Sequence, residues 1–142
     1  MTHVLIVSAN FYPELSAELV AGATQHLYDN GVTHELVTVP GAFEIPGVIA
    51  QAMGNRKYQG FVALGCVIRG DTTHYDYVCG ESARGLMDLS LKGVAIGYGI
   101  LTVETEEQAN IRADRKQGNK GRDAAEACLR MIAIKRQLGT TA

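Results

Sequence analysis

Apolar residues fall in two rhythms along this chain, and the two rhythms alternate. Val4-Leu5-Ile6-Val7 is a short unbroken run rich in β-branched side chains, the pattern of a strand buried on both faces. Over residues 14–30 the apolar positions Leu15, Leu19, Ala23 and Leu27 return at every fourth residue, which lines one side of a helix, and Gly31 supplies its stop. Residues 35–39 read as a second strand. Pro46 suits the first position of a helix running to about residue 53. Residues 60–68 form a third strand, and 76–91 a third helix with Val78, Leu86 and Leu89 inward. A fourth strand covers 94–103. Thr105-Glu106-Glu107-Gln108 has the spacing of a capping box that opens the next helix. Gly118-Asn119-Lys120-Gly121 breaks that helix, and a last one over 123–138 puts Ala124, Ala127, Cys128, Met131, Ile134 and Leu138 on one face. Strand and helix alternating in this way predict a parallel sheet covered by helices on both faces. No repeat or linker divides the 142 residues, so one domain is expected over 1–142.

Composition narrows the class. Hydrophobic residues make up 46% and charged residues 20%, which suits a packed core and not a disordered chain. The net charge is -2 with both signs scattered, so neither nucleic acid nor a membrane surface is an expected partner. No apolar run reaches the ~20 residues that span a bilayer, and Val4–Val7 is too short for a signal-peptide core. Cys66, Cys79 and Cys128 have no metal-like spacing and read as free thiols in a reducing cytoplasm.

In a sheet of this kind ligands sit beyond the carboxyl ends of the strands, and unusual residues follow each strand. The first ends in Ser8-Ala9-Asn10-Phe11, the second in Pro40-Gly41-Ala42-Phe43-Glu44-Ile45-Pro46, the third in Arg69-Gly70-Asp71-Thr72-Thr73-His74-Tyr75, and the fourth contains Gly97-Tyr98-Gly99. A lone loop phenylalanine most often folds over the core; two at adjacent strand ends, Phe11 and Phe43, can instead wall a flat ring. Gly70 permits close backbone approach, and the amides after it, with the Thr72 hydroxyl and a following helix start, can hold an anion. Asp71 would oppose that anion unless it points away, and can equally be a helix cap. His74 is either a proton shuttle or an ordinary surface histidine. Glu44 can pair with a sugar-like hydroxyl or cap a turn. Arg112, Arg115, Lys116 and Lys120 form either a solvated face or a phosphate clamp.

Three long segments resemble the lumazine synthase family in order and spacing. They are Pro40-Gly41-Ala42-Phe43-Glu44-Ile45-Pro46, Gly65-Cys66-Val67-Ile68-Arg69-Gly70-Asp71-Thr72-Thr73-His74-Tyr75-Asp76-Tyr77-Val78, and Gly118-Asn119-Lys120-Gly121. The likeness extends over roughly 4–138 and is far more specific than any short pattern. It implies an α/β fold: a three-layer α/β/α sandwich on a four-stranded parallel sheet in flavodoxin-like order. It implies a transferase that condenses 5-amino-6-(D-ribitylamino)uracil with 3,4-dihydroxy-2-butanone 4-phosphate, giving 6,7-dimethyl-8-ribityllumazine, phosphate and water, the penultimate step of riboflavin biosynthesis. No metal and no organic cofactor is implied, so orientation and proton transfer carry the catalysis.

By position, the resemblance assigns Phe11 and Tyr98 to flank the pyrimidine, and Ala42, Phe43 and Glu44 to hold the ring and ribityl chain. Cys66, Val67 and Ile68 line the site. Asp71, Thr72 and Arg112 bind phosphate through the Gly70-Asp71-Thr72 stretch and the guanidinium, with Lys120 nearby, and His74 moves protons. It further implies a cytoplasmic homopentamer, with a decamer or capsid as the larger alternatives, whose Tyr98 and Arg112 come from the chain beside the one supplying Phe11, Phe43 and His74. Riboflavin synthase is an implied partner. Three departures stand out: Tyr98 where the family often has phenylalanine, Cys66 where small polar residues are common, and a first strand that begins near His3 without the leading segment of shell-forming members. A flavin carrier without turnover, a receiver-like domain and a non-catalytic shell protein are the rival readings. Retained His74 and Arg112 favour the enzyme over the carrier, and Ser8-Ala9-Asn10 lacks the acidic cluster a receiver needs.

Overall fold

The structure is a computed structural model and describes residues 1–139, so the last three residues of the expected 1–142 domain lie outside the described residues. Four strands, β1 (His3–Ala9), β2 (Thr33–Val39), β3 (Gly60–Ile68) and β4 (Ile96–Val103), form one parallel sheet in the order β2-β1-β3-β4. Val4 pairs with His34 on one side and Gly60 on the other, and Ile68 pairs with Val103. Five helices flank it: α1 (Pro13–Asp29), α2 (Ile45–Ala52), α3 (His74–Leu91), α4 (Glu106–Ala113) and α5 (Lys120–Gln137). Val4, Ile6, Val62, Leu64 and Leu101 pack against α1, α4 and α5. The alternate residues Leu5, Val7, Phe61, Ala63 and Ile100 pack against α2 and α3. Period-2 alternation thus feeds two cores, one on each face. The expected three-layer α/β/α sandwich is the fold observed.

Leu15, Leu19, Ala23 and Leu27 are buried in α1, and Val78, Leu86 and Leu89 in α3, as their spacing requires. The face of α5 is a correction. Ala124 and Cys128 are buried, but Ala127, Met131 and Leu138 are exposed and Ile134 is only half-buried; Gly121, Ala125 and Ile132 take the inner positions. Close approach explains the rotation. A Cβ on Gly97 would fall inside the Ala124 carbonyl, and one on Gly121 inside the Leu19 carbonyl. The helix therefore turns its small side chains, not its large ones, toward β4 and α1. Gly97 and Gly99 consequently face α5 and serve packing.

The ends of several elements also differ from the pattern. β2 begins at Thr33, β4 begins at Ile96, and α3 begins at His74, two residues before the expected start, with Thr73 as its N-cap. Ile45 precedes Pro46 in α2. At α4 the Thr105 hydroxyl accepts from the Gln108 N–H at 3.2 Å, while the Gln108 side chain accepts from Glu104 N at 2.9 Å, one residue before the cap.

Candidate functional site

The chain passes from β1 to β2 on one side and returns to β3 on the other, so the strand order switches at the carboxyl ends of β1 and β3. A cleft of about 620 Å³ opens there. Three loops build it. After β1 come Phe11 and Tyr12; after β2 come Pro40 to Glu44; after β3 come Gly70, Thr72 and His74, with Cys66, Val67 and Ile68 as the floor and Tyr75 and Val78 from α3.

Each loop has a local reason for its shape. Phe11 remains 70% exposed, braced edge-on by Tyr12 with ring centroids 4.9 Å apart. Phe43 is 55% exposed in the short 3-10 turn Ala42–Glu44. Neither ring folds over the core; both line the cleft, where a flat ligand can stack on them. The Glu44 carboxylate accepts from the Gly41 N–H at 3.0 Å, so it caps its own turn while lining the cleft. The Thr72 hydroxyl accepts from the His74 N–H at 3.3 Å and turns the chain into α3. His74 occupies the first position of that helix, where the positive end of the helix dipole adds to any anion site at Gly70 and Thr72. Burial, with Cys79 adding to it, pushes the Cys66 thiol up to about 11, so this part of the floor is a neutral wall at ordinary pH.

Phe11, Ala42, Phe43, Glu44, Cys66, Val67, Ile68, Thr72 and His74 all line this one cleft. Asp71 does not: it is exposed between two residues that do, and the helix cap is Thr73 rather than Asp71. Tyr98, Arg112 and Lys120 also lie outside the cleft of their own chain. Tyr98 is on β4, half exposed; burial and Cys79 push its phenol up, and a hydrogen bond to Ser82 pulls the other way. Arg112 is exposed on α4 and donates from Nη1 to the Gln108 carbonyl at 3.1 Å. Two of its cationic neighbours are engaged with carboxylates: Arg115 Nε lies 3.2 Å from Glu18, and Lys120 Nζ 3.5 Å from Asp123. Among the described residues no group of three or more His, Cys, Asp or Glu is placed to hold a metal ion.

Tyr12, Tyr75 and Val78 line the cleft without having been singled out in the sequence. Adjacency to Phe11 and His74 was the available signal for the two tyrosines. Val78 reads only as core, and it does both.

The chain matches the family described as 6,7-dimethyl-8-ribityllumazine synthase over residues 1–136. It is 53% identical over 139 residues to a 6,7-dimethyl-8-ribityllumazine synthase of Sphingopyxis alaskensis, covering 98% of this chain and 99% of that one. It is 55% identical over 135 residues to the protein of the same name from Novosphingobium aromaticivorans, covering 95% and 97%. The corresponding protein of Bartonella bacilliformis is 54% identical over 140 residues, covering 96% and 92%.

Proposed function

The chain belongs to the 6,7-dimethyl-8-ribityllumazine synthase family, and from that premise we propose that it condenses 5-amino-6-(D-ribitylamino)uracil with 3,4-dihydroxy-2-butanone 4-phosphate. The observation that carries the site assignment is one cleft joining two exposed aromatic rings to the backbone and hydroxyl of Gly70 and Thr72 and to an imidazole. The pyrimidine stacks between Phe11 and Phe43. Backbone groups at Ala42 and at Cys66, Val67 and Ile68 meet its polar edge, and Glu44 takes ribityl hydroxyls. The four-carbon substrate places its phosphate at Gly70, Asp71 and Thr72, with Asp71 contributing its backbone amide while its side chain faces solvent. The pyrimidine amine attacks the ketone carbon, water leaves, and an imine forms. Phosphate then departs, and the ribityl-bearing nitrogen closes the ring with loss of a second water. His74 moves the protons these steps require, and holding both substrates in one orientation supplies much of the remaining acceleration.

The same reading extends to assembly. Tyr98 and Arg112 lie outside their own cleft, so a neighbour in a closed ring supplies them, and the family resemblance sets the ring at five. Lys120 stands near the phosphate as a weaker contributor. The whole of residues 1–142 acts as one domain, working in the cytoplasm and handing its product to riboflavin synthase. Free thiols at Cys66, Cys79 and Cys128 and the lack of any described helix long and apolar enough to cross a membrane support that setting.

Incubating the pure protein with both substrates and following green fluorescent lumazine tests the activity; no product above the uncatalysed rate overturns it. Mixing the inactive variants His74→Ala and Arg112→Ala after reversible dissociation tests the shared site. Activity should partly return, because some mixed interfaces carry both native residues. A fully active monomer in the ultracentrifuge defeats the pentamer.

A further inference from the structure

Arg69 is the first residue beyond β3, and its N–H still pairs with the Val103 carbonyl at 2.9 Å, so its backbone is fixed by the sheet. Its side chain reaches in three directions at once. Nε donates to Glu104 Oε2 at 2.7 Å, past the end of β4. Nη2 lies 3.5 Å from Asp76 Oδ1 in the first turn of α3. The guanidinium carbon Cζ lies over the ring of Tyr75, 4.3 Å from its centroid, and Tyr75 lines the cleft beside His74. The chain leaves Arg69, runs through the exposed residues 70–73, and returns at Tyr75 and Asp76 to the same guanidinium. One side chain thus holds both ends of the anion-binding loop.

We infer that Arg69 is a positioning residue for phosphate binding, acting through Glu104, Asp76 and Tyr75 without touching substrate. The inference rests on the phosphate reading of residues 70–72 given above. Its charge is already matched by two carboxylates, so it adds little to the field at the cradle. What it supplies is geometry: donors diverging from one planar group whose central carbon also sits over an aromatic ring. Lysine keeps the charge and cannot make those contacts together. These contacts are partly exposed and contribute little to stability. The protein therefore folds without them, while the loop loses its fixed distance to β4 and to α3.

The test compares Arg69→Met, Arg69→Lys and Arg84→Met in the assembled enzyme. Arg84 is the control: it also bridges two carboxylates on α3, Glu81 at 2.8 Å and Asp88 at 3.1 Å, but farther along the helix. Two quantities are read, inorganic phosphate binding by calorimetry and the two Michaelis constants. Both Arg69 variants should weaken phosphate binding and raise KM for the phosphate substrate by about five- to tenfold, since small displacements of a binding group are costly. The pyrimidine KM should stay within about twofold, and Arg84→Met should match the parent protein. If Lys restores phosphate binding, Arg69 acts by charge and the inference falls. It falls equally if Met changes nothing, or if both Michaelis constants rise together. The double variant Asp76→Ala, Glu104→Ala keeps Arg69 over Tyr75 and removes both carboxylates that fix its donors; it should reproduce the phosphate-specific loss even if Arg69→Met fails to fold. A parent protein that binds phosphate yet makes no lumazine defeats the activity reading, and the phosphate arm still decides the role of Arg69.

Discussion

At the amino ends of β1 and β2, polar side chains close on one another. Glu35 Oε2 accepts from Lys57 Nζ at 2.6 Å and lies 2.6 Å from His3 Nε2, while Glu35 Oε1 accepts from the Tyr58 hydroxyl at 3.0 Å. His3 also meets Thr33 Oγ1 at 2.6 Å and stacks on Tyr58 with centroids 5.6 Å apart. At the carboxyl ends of β1, β2 and β3, Phe11, Phe43, Thr72 and His74 turn toward a cleft instead. Aromatic, histidine and hydroxyl side chains occur at both ends. Those that meet each other join β1, β2 and the loop before β3; those that meet an opening are arranged for something that is not part of the chain. Changes at the amino end should therefore alter stability and spare activity, and changes at the cleft should do the reverse.

The largest effect should come from a site at neither end. Gly97→Ala puts a methyl group into the Ala124 carbonyl of α5. Neither backbone can yield cheaply, so the loss of stability should reach the upper part of the ~1–3 kcal/mol usual for overpacking, or exceed it. Denaturant melts should show the fall, with activity declining alongside. A variant as stable as its parent would mean that α5 does not lie so close on β4.

Next come two cleft variants that should separate activity from stability. Arg112→Ala removes an exposed guanidinium that donates to the Gln108 backbone carbonyl of its own helix. The phosphate substrate should bind more weakly by about 1.5–3 kcal/mol, roughly ten- to a hundredfold in KM, with the pyrimidine moving less and melting unchanged. Equal shifts in both constants would make Arg112 a structural residue. His74→Ala should lower turnover by roughly tenfold or more, again at unchanged stability, because the side chain is exposed at a helix start. Unchanged turnover in steady-state assays would remove its proton-transfer role.

The sequence made one end of the sheet far more legible than the other. Phe11, Phe43, Thr72 and His74 stand out because a loop phenylalanine or a histidine beside Gly-Asp-Thr is locally odd, and each lines the cleft. The amino-end cluster could not be found this way, since His3, Glu35 and Lys57 look like ordinary surface residues until β1 and β2 pair in register. Periodicity read α1 correctly because its inner face is made of large apolar residues. It misread α5 because there the inner face is set by how closely two backbones approach, which favours Gly121, Ala124 and Ala125 over Met131 and Leu138. The residues themselves mark Gly97-Tyr98-Gly99 and the Arg112 cluster, but the roles of Tyr98 and Arg112 come from the resemblance, and no local pattern says why they stand apart from the cleft of their own chain.

The smallest effect concerns acid and the amino end alone. The Glu35 carboxyl is held down to about 2 from the usual 4.5, first by the Lys57 ammonium and then by His3. A carboxyl that binds its proton less readily when folded contributes stability above its unfolded pKa and loses it as the folded value is approached. That contribution should be complete above about pH 4.5, decline below it, and vanish near pH 2. Because the carboxylate is exposed, the size is modest. Glu35→Gln removes the charge and leaves the cleft untouched. Its denaturation midpoint should lie below that of the parent at pH 6, and the gap should narrow steadily from pH 4.5 downward as the unfolded parent chain takes up a proton at Glu35 that the folded carboxylate accepts only near pH 2. Turnover at neutral pH should stay within about twofold. A gap that remains constant down to pH 2.5 would show that the contacts of Glu35 with Lys57 and His3 do not stabilise the fold. Turnover that fell in step with stability would show that the two ends of β2 are coupled, so that the network at Glu35 also sets the position of Phe43 and Glu44.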